Sequence, residues 1–127
     1  MALLTKIIDT PIVRSAYQIT PVDYTGAVVE FLGIVRNSEN GEPIAAIDYE
    51  VFKEMAEHQL DLLARKYNAR FGLHDLICIH RVGYIPAGEI SLFIQISSSH
   101  RAEAFEAIQG FINELKETVP IWKHPVS

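Results

Sequence analysis

The chain has one cysteine and one tryptophan in 127 residues. A lone cysteine excludes an internal disulfide and fits a reducing compartment such as the cytoplasm. No apolar run approaches the ~18 residues that a transmembrane helix needs. The opening MALLTKIIDT has no basic n-region, and no A-x-A-like site follows it, so no signal peptide is expected. Positive charge is scarce as well. Lys and Arg number 11 against 16 Asp and Glu, a net charge of −5, which argues against general nucleic-acid affinity because that rests on cations neutralising phosphates. Any anion site must be a local basic pocket on an acidic protein. Walker A, GxGxxG, GxSxG and HExxH patterns are absent. His58, His74 and His124 have no metal-ligand spacing with one another or with Cys78. No resident metal or cofactor is expected.

What is present is ordinary for a globular domain: 49% apolar and 21% charged residues, in a length that suits one domain, 1–127, with a real core. The most strongly patterned stretch is Ser97–Lys123. Ala104, Phe105, Ile108, Phe111, Ile112, Leu115 and Val119 follow the three-then-four spacing of a helix with one buried stripe. Ser98 or Ser99 is placed to cap that helix and Pro120 to end it. Gly110 interrupts it at a cost of about 1 kcal/mol. A second helix is read over Lys53–Arg70, with Met55, Ala56, Leu60, Leu63, Ala64 and Tyr67 at helical spacing. Strands are expected at Gly26–Val35, Ile44–Phe52, Asp75–Val82 and Glu89–Ser97. Residues 36–43 read as a polar, turn-rich loop and Gly83–Gly88 as a connection. Within 1–25, Thr5–Ile12 reads as a first strand and Val13–Val22 as an irregular or helical piece; 120–127 reads as a short tail. The order ββ–α–ββ–α describes an α+β sandwich, two helices packed on a largely antiparallel sheet.

The chemistry must come from a few cations. Arg36 closes an apolar strand, and a loop-edge arginine is by default merely solvated. His100 and Arg101 fall in the first turn of the long helix, where free backbone N–H groups and the dipole favour an anion. An arginine there opposes the dipole and so serves something besides helix stability. Lys116 suits the negative end of the helix. Lys123, beside Trp122 in the tail, is by default solvent charge. Arg101 and Lys116 are separated by roughly 22 Å at 1.5 Å per residue, more than one small ligand spans. Either there are two sites, or a second copy of the chain brings its His100 and Arg101 to the first copy's Lys116; the second is the expectation adopted. Cys78 lies in an apolar strand with no activator and reads as a core thiol. His80 reads as a satisfied core group.

GAVVEFLGIVRN (Gly26–Asn37), DYEVF leading to Met55-Ala56-Glu57, IHRVG (Ile79–Gly83), SSSHRAEAFEA (Ser97–Ala107) and LKETVPIWK (Leu115–Lys123) occur in that order. Together they resemble the MoaE family, the large, catalytic subunits of molybdopterin synthase, over nearly the whole chain from about Gly26. The resemblance implies an α/β hammerhead-like fold with a smaller β subdomain. It also implies a central homodimer with a small ubiquitin-like subunit of the MoaD type at each end. The implied activity is sulfur transfer. The small subunit's C-terminal thiocarboxylate enters the large subunit's pocket, and two deliveries convert cyclic pyranopterin monophosphate into the dithiolene molybdopterin. An enzyme of this kind with one unremarkable cysteine makes sense if its sulfur arrives on another protein.

Carried over by position, Arg36 matches the family's substrate arginine. His100 and Arg101 match an anion-binding pair supplied by the neighbouring subunit. Lys116 matches the lysine beside the thiocarboxylate, and Lys123 a second important lysine. His124 and the backbone of Ile34 complete the implied substrate contacts. Ile34 stands where many members have a polar or basic residue. The chain ends four residues after Lys123, where relatives usually continue with a Gly-containing tail. A reading from a different class is a non-catalytic dimeric module that docks a ubiquitin-like tail. Retention of Lys116 together with His100 and Arg101 favours the enzyme, because docking alone needs no phosphate site.

Overall fold

The computed structural model describes residues 2–127. In chain order the elements are β1 (Ala2–Ile8), a 3-10 turn (Arg14–Ala16), β2 (Ala27–Ile34), β3 (Ser38–Glu39), β4 (Glu42–Pro43), β5 (Ala46–Val51), α1 (Lys53–Phe71), β6 (Asp75–Arg81), β7 (Gly83–Pro86), β8 (Ile90–Ser98), α2 (Arg101–Thr118) and β9 (Ile121–Val126). The main sheet has the order β1-β6-β8-β2, antiparallel except for the β1–β6 pair. A second, wholly antiparallel sheet has the order β7-β5-β9. No helix among the described residues is long and apolar enough to cross a membrane.

Alternation along β6 explains the layering, since successive side chains point to opposite faces. Leu76 and Cys78 join Leu60, Ile94, Ile96, Phe111 and Leu115 in the core shared with the helices. Ile77 and Ile79 point the other way and, with Phe93, are covered by Ile12, Tyr17 and Ile19. Both faces of β6 and β8 are therefore buried, which accounts for their near-continuous apolar sequences. The buried Gln95 is satisfied by the Ile19 backbone N–H at 2.8 Å and by Gln18 and Glu30.

The two helices are joined at Glu114, which accepts from Tyr67 Oη at 2.8 Å and Lys66 Nζ at 2.7 Å. Gly110 lies at this crossing. A Cβ there would sit 3.0 Å from the Tyr67 ring, so the glycine that weakens the helix permits its close approach. At the start of α2 the N-cap residue is His100, whose backbone N–H donates to Glu103 Oε2 at 3.2 Å. The serines do not take that role. Ser98 Oγ donates to the His100 carbonyl at 2.5 Å, and Ser99 Oγ lies 3.2 Å from His74 Nε2.

Several boundaries differ from the sequence-based expectation. The first strand runs over Ala2–Ile8 rather than Thr5–Ile12, because its partner β6 sets the register from Ala2↔Asp75 to Ile8↔Arg81. Gly83–Gly88 is not only a connection, since Gly83–Pro86 pairs with β5 and places Ile85 in a small core with Val35 and Ile47. Residues 36–43 form a β3–β4 hairpin turning at Asn40 and Gly41, both at positive φ, as an Asn-Gly turn requires. Within the 120–127 tail, Ile121–Val126 is a strand, paired with β5 from Ala46↔Val126 to Val51↔Ile121. Lys123 is therefore a fixed strand residue rather than a charge on a loose end.

Candidate active site

A cleft of about 530 Å³ opens where the end of β2, the last turn of α2 and the β5–β9 pair meet. This size falls in the range of small-ligand pockets. Phe31, Leu32, Ile34, Ile47, Leu92, Leu115 and Ile121 give it apolar walls. Arg36, Lys116 and Lys123 bring three cations to it, and Glu39 one carboxylate.

Each of these side chains is placed by a different local device. The β2–β8 register shifts between Gly33 and Ile34. The chain then leaves the sheet through Val35, whose N–H donates to the Glu89 carbonyl at 3.0 Å and whose carbonyl accepts from Gly88 at 2.7 Å. Arg36 follows that clamp directly. Lys116 is exposed one residue beyond the buried Leu115. Lys123 sits opposite Tyr49 in the β5–β9 register. Lys123 Nζ donates to Glu39 Oε1 at 2.8 Å. That bond and the Lys123 charge, with a smaller contribution from Arg36, hold the Glu39 carboxyl below the usual carboxylate range.

Three expected site residues lie elsewhere in the single chain. His100 and Arg101 stand at the opposite end of α2 from Lys116, both exposed, and neither lines the cleft. His124 is on the other face of β9, with Nε2 2.9 Å from Glu50 Oε1. Strand alternation forces this, because Lys123 already points into the cleft. Ile34 does line the cleft, and its half-exposed side chain forms part of the wall.

Sequence reasoning missed Glu39, Tyr49 and His80 as cleft residues. The Asn40-Gly41 turn was the available signal for Glu39, since a hairpin there folds the residue back toward Arg36. His80 is buried as expected, and its Nδ1 lies 2.7 Å from the Arg81 carbonyl oxygen, yet it also reaches the cleft. Burial pushes its pKa down to about 4, so it is neutral at ordinary pH. Cys78 is fully buried and burial drives its thiol pKa far up, which leaves no thiolate for nucleophilic work.

The family model described as "MoaE protein" matches residues 7–118. The chain belongs to the MoaE family. Its alignment with the molybdopterin synthase catalytic subunit of Thermoplasma volcanium is 42% identical over 101 residues and covers 80% of this chain and 74% of that one. The corresponding subunit of Oryza sativa subsp. indica is 41% identical over 101 residues, and the match covers 80% of this chain but only 52% of that longer relative. Molybdopterin synthase from Staphylococcus aureus has a TM-score of 0.86 at 34% identity, covering 94% of this chain and 88% of that one. A chain of the Helicobacter pylori complex of subunits 1 and 2 of molybdopterin-converting factor has a TM-score of 0.75 at 23% identity, covering 95% and 83%. At that identity the likeness speaks for the fold. The MoaE fold is the expected α+β class, two helices on a mixed, mostly antiparallel sheet.

Proposed function

We propose that this MoaE chain is the catalytic subunit of a molybdopterin synthase and that sulfur transfer occurs in the cleft holding Arg36, Lys116 and Lys123. The supporting observation is convergence. Three cations from the end of β2, the last turn of α2 and β9 meet in one apolar-walled cavity of a protein with net charge −5. Such a cavity suits a flat heterocycle that carries a phosphate, and the relatives named above are molybdopterin synthase catalytic subunits.

The substrate in this reading is cyclic pyranopterin monophosphate. Arg36 holds its phosphate through paired N–H bonds, with Lys123 assisting. Sulfur arrives as the C-terminal thiocarboxylate of a small ubiquitin-like, MoaD-type subunit. Lys116 orients that group and offsets negative charge that develops on it. Cys78 is too deeply buried to relay sulfur, which fits delivery from another chain. The carbonyl carbon that gives up sulfur takes oxygen from water in exchange. Two deliveries complete the dithiolene: as the two C–S bonds form, one substrate carbon loses its oxygen as water and the other loses its phosphate ester oxygen, which opens the cyclic phosphate to a monoester.

His100 and Arg101 belong to the same centre but come from a second copy of the chain. The unit is then a homodimer with a small subunit at each end, working in the cytoplasm. Reconstitution with thiocarboxylated small subunit and the pterin precursor tests this reading. Dithiolene product is expected, and its absence with an intact, bound small subunit would overturn the assignment.

A further inference from the structure

We infer that His80 is a substrate-positioning residue, whose Nε2 accepts a hydrogen bond from a ring N–H of the heterocycle bound in the cleft. The inference rests on the cleft being the pterin site.

His80 lies on β6, an interior strand of the main sheet, opposite Leu92 of β8, and both residues line the cleft. Its side chain is nine-tenths buried or more, at 6% exposure. Nδ1 is 2.7 Å from the Arg81 carbonyl oxygen. A carbonyl can only accept, so Nδ1 bears the proton and Nε2 keeps its lone pair. Among the described residues Nε2 has no protein partner. The polar side-chain atoms buried beyond solvent without a partner are Asn68 Oδ1, His74 Nδ1 and Arg81 Nε. Since Nε2 is not one of these, the open space it meets is the cleft that His80 lines.

The ring is also held in orientation. Tyr49 meets it edge-on, with centroids 5.2 Å apart and planes at 79°, a favoured aromatic arrangement. Tyr49 in turn pairs with Lys123 across β5 and β9, so the imidazole is indexed to the cation that faces the cleft. That fixed acceptor opens on the cleft, where water meets it until a ligand N–H takes the water's place. Being neutral, His80 offers nothing to a phosphate and selects instead for N–H. The cleft then reads two features separately, the anion by Arg36 and Lys123 and the ring by His80.

The test uses the full chain with two ligands, cyclic pyranopterin monophosphate and inorganic phosphate. In imidazole ¹⁵N spectra of the wild type, the His80 Nε2 resonance should move into the hydrogen-bonded range with the pterin and stay put with phosphate. In binding measurements, His80→Phe keeps the ring packing but removes the acceptor. It should weaken pterin binding about tenfold and leave phosphate binding unchanged. His80→Gln, which regains an acceptor, should recover part of the loss. An Nε2 signal indifferent to bound pterin, or pterin binding unaltered in His80→Phe, overturns the inference. If Arg36→Ala still abolishes pterin binding in that case, the cleft assignment stands without it. Pterin binding that ignores Arg36 and Lys123 as well would sink both.

Discussion

Lys123 Nζ and Glu39 Oε1 are 2.8 Å apart, so one cation of the cleft is already matched by a carboxylate of its own chain. An anionic ligand that engages Lys123 must either displace Glu39 or lie close to its negative charge. Lys123 is half-exposed and Glu39 partly buried, and an ion pair with one partner open to solvent is of modest strength. Glu39→Gln should tighten inorganic phosphate binding and lower KM for the pterin phosphate by roughly two- to five-fold, with kcat little changed. Weaker binding in the variant would show that Glu39 instead holds Lys123 in its working position.

Lys116 has no carboxylate within ion-pair reach among the described residues, and it lies in the cleft wall. Lys116→Ala should cut dithiolene formation by about 100-fold or more, the scale of losing one charge-stabilising donor. Its melting temperature should stay near wild type, because the side chain is exposed. Product at the wild-type rate would remove Lys116 from the chemistry.

Gly26 begins the approach to β2 where the chain passes the turn into α2. A Cβ at Gly26 would lie 1.7 Å from the Ser99 carbonyl oxygen, and backbone cannot swing aside as a side-chain tip can. Gly26→Ala should destabilise by roughly 3 kcal/mol, at the upper end for overpacking, seen as a melting temperature lower by about 10 °C. Gly41→Ala makes a useful contrast. Nothing lies within 4 Å of its added Cβ, but φ is +81°, so the cost should be only about 1 kcal/mol.

His80 sets an acid limb of stability. Burial lowers its folded pKa to about 4 from the ordinary 6.5, against a smaller opposing effect of the Arg81 carbonyl. Between those values the unfolded chain binds a proton that the folded chain does not. Stability is therefore full above pH 6.5 and falls as pH drops toward 4, by up to about 3 kcal/mol. Glu30, Glu39 and Glu114 have lowered folded pKa values, so their contribution is lost further down, below about pH 4.5. Denaturant unfolding across pH should show His80→Phe with a flatter profile between 6.5 and 4.5 and an unchanged limb below. The wild-type slope persisting in that window would contradict a depressed His80.

The helices and the strands β2, β6 and β8 of the main sheet were legible because their patterns are long, whereas β1 takes its bounds from its pairing with β6. The apolar stripe from Ala104 to Val119 specifies the buried face of α2 apart from Phe105, which is exposed. β7 and β9 were not legible. Each is short, and each gains its structure from pairing with β5, which for β9 lies 70 to 80 residues earlier in the chain. Arg36, Lys116 and Lys123 were readable as candidates by position, but their meeting in one cleft depends on that β5–β9 pairing. His124 shows the limit of reasoning from sequence neighbours, since adjacent strand residues face opposite ways. For His80, alternation gives which of two faces it takes, while the cleft beside that face is made by β5, β9 and the end of α2.

A shared active centre requires both ends of α2, taken from two copies of the chain. Mixing Lys116→Ala chains with Arg101→Ala chains, each inactive alone, tests this most directly. After subunit exchange, a mixed dimer has one centre lacking both residues and one retaining both. Dithiolene formation with thiocarboxylated small subunit should then recover to about one quarter of wild type for an equal, random mixture. No recovery, with exchange verified by mass-labelled chains, would contradict a shared active centre.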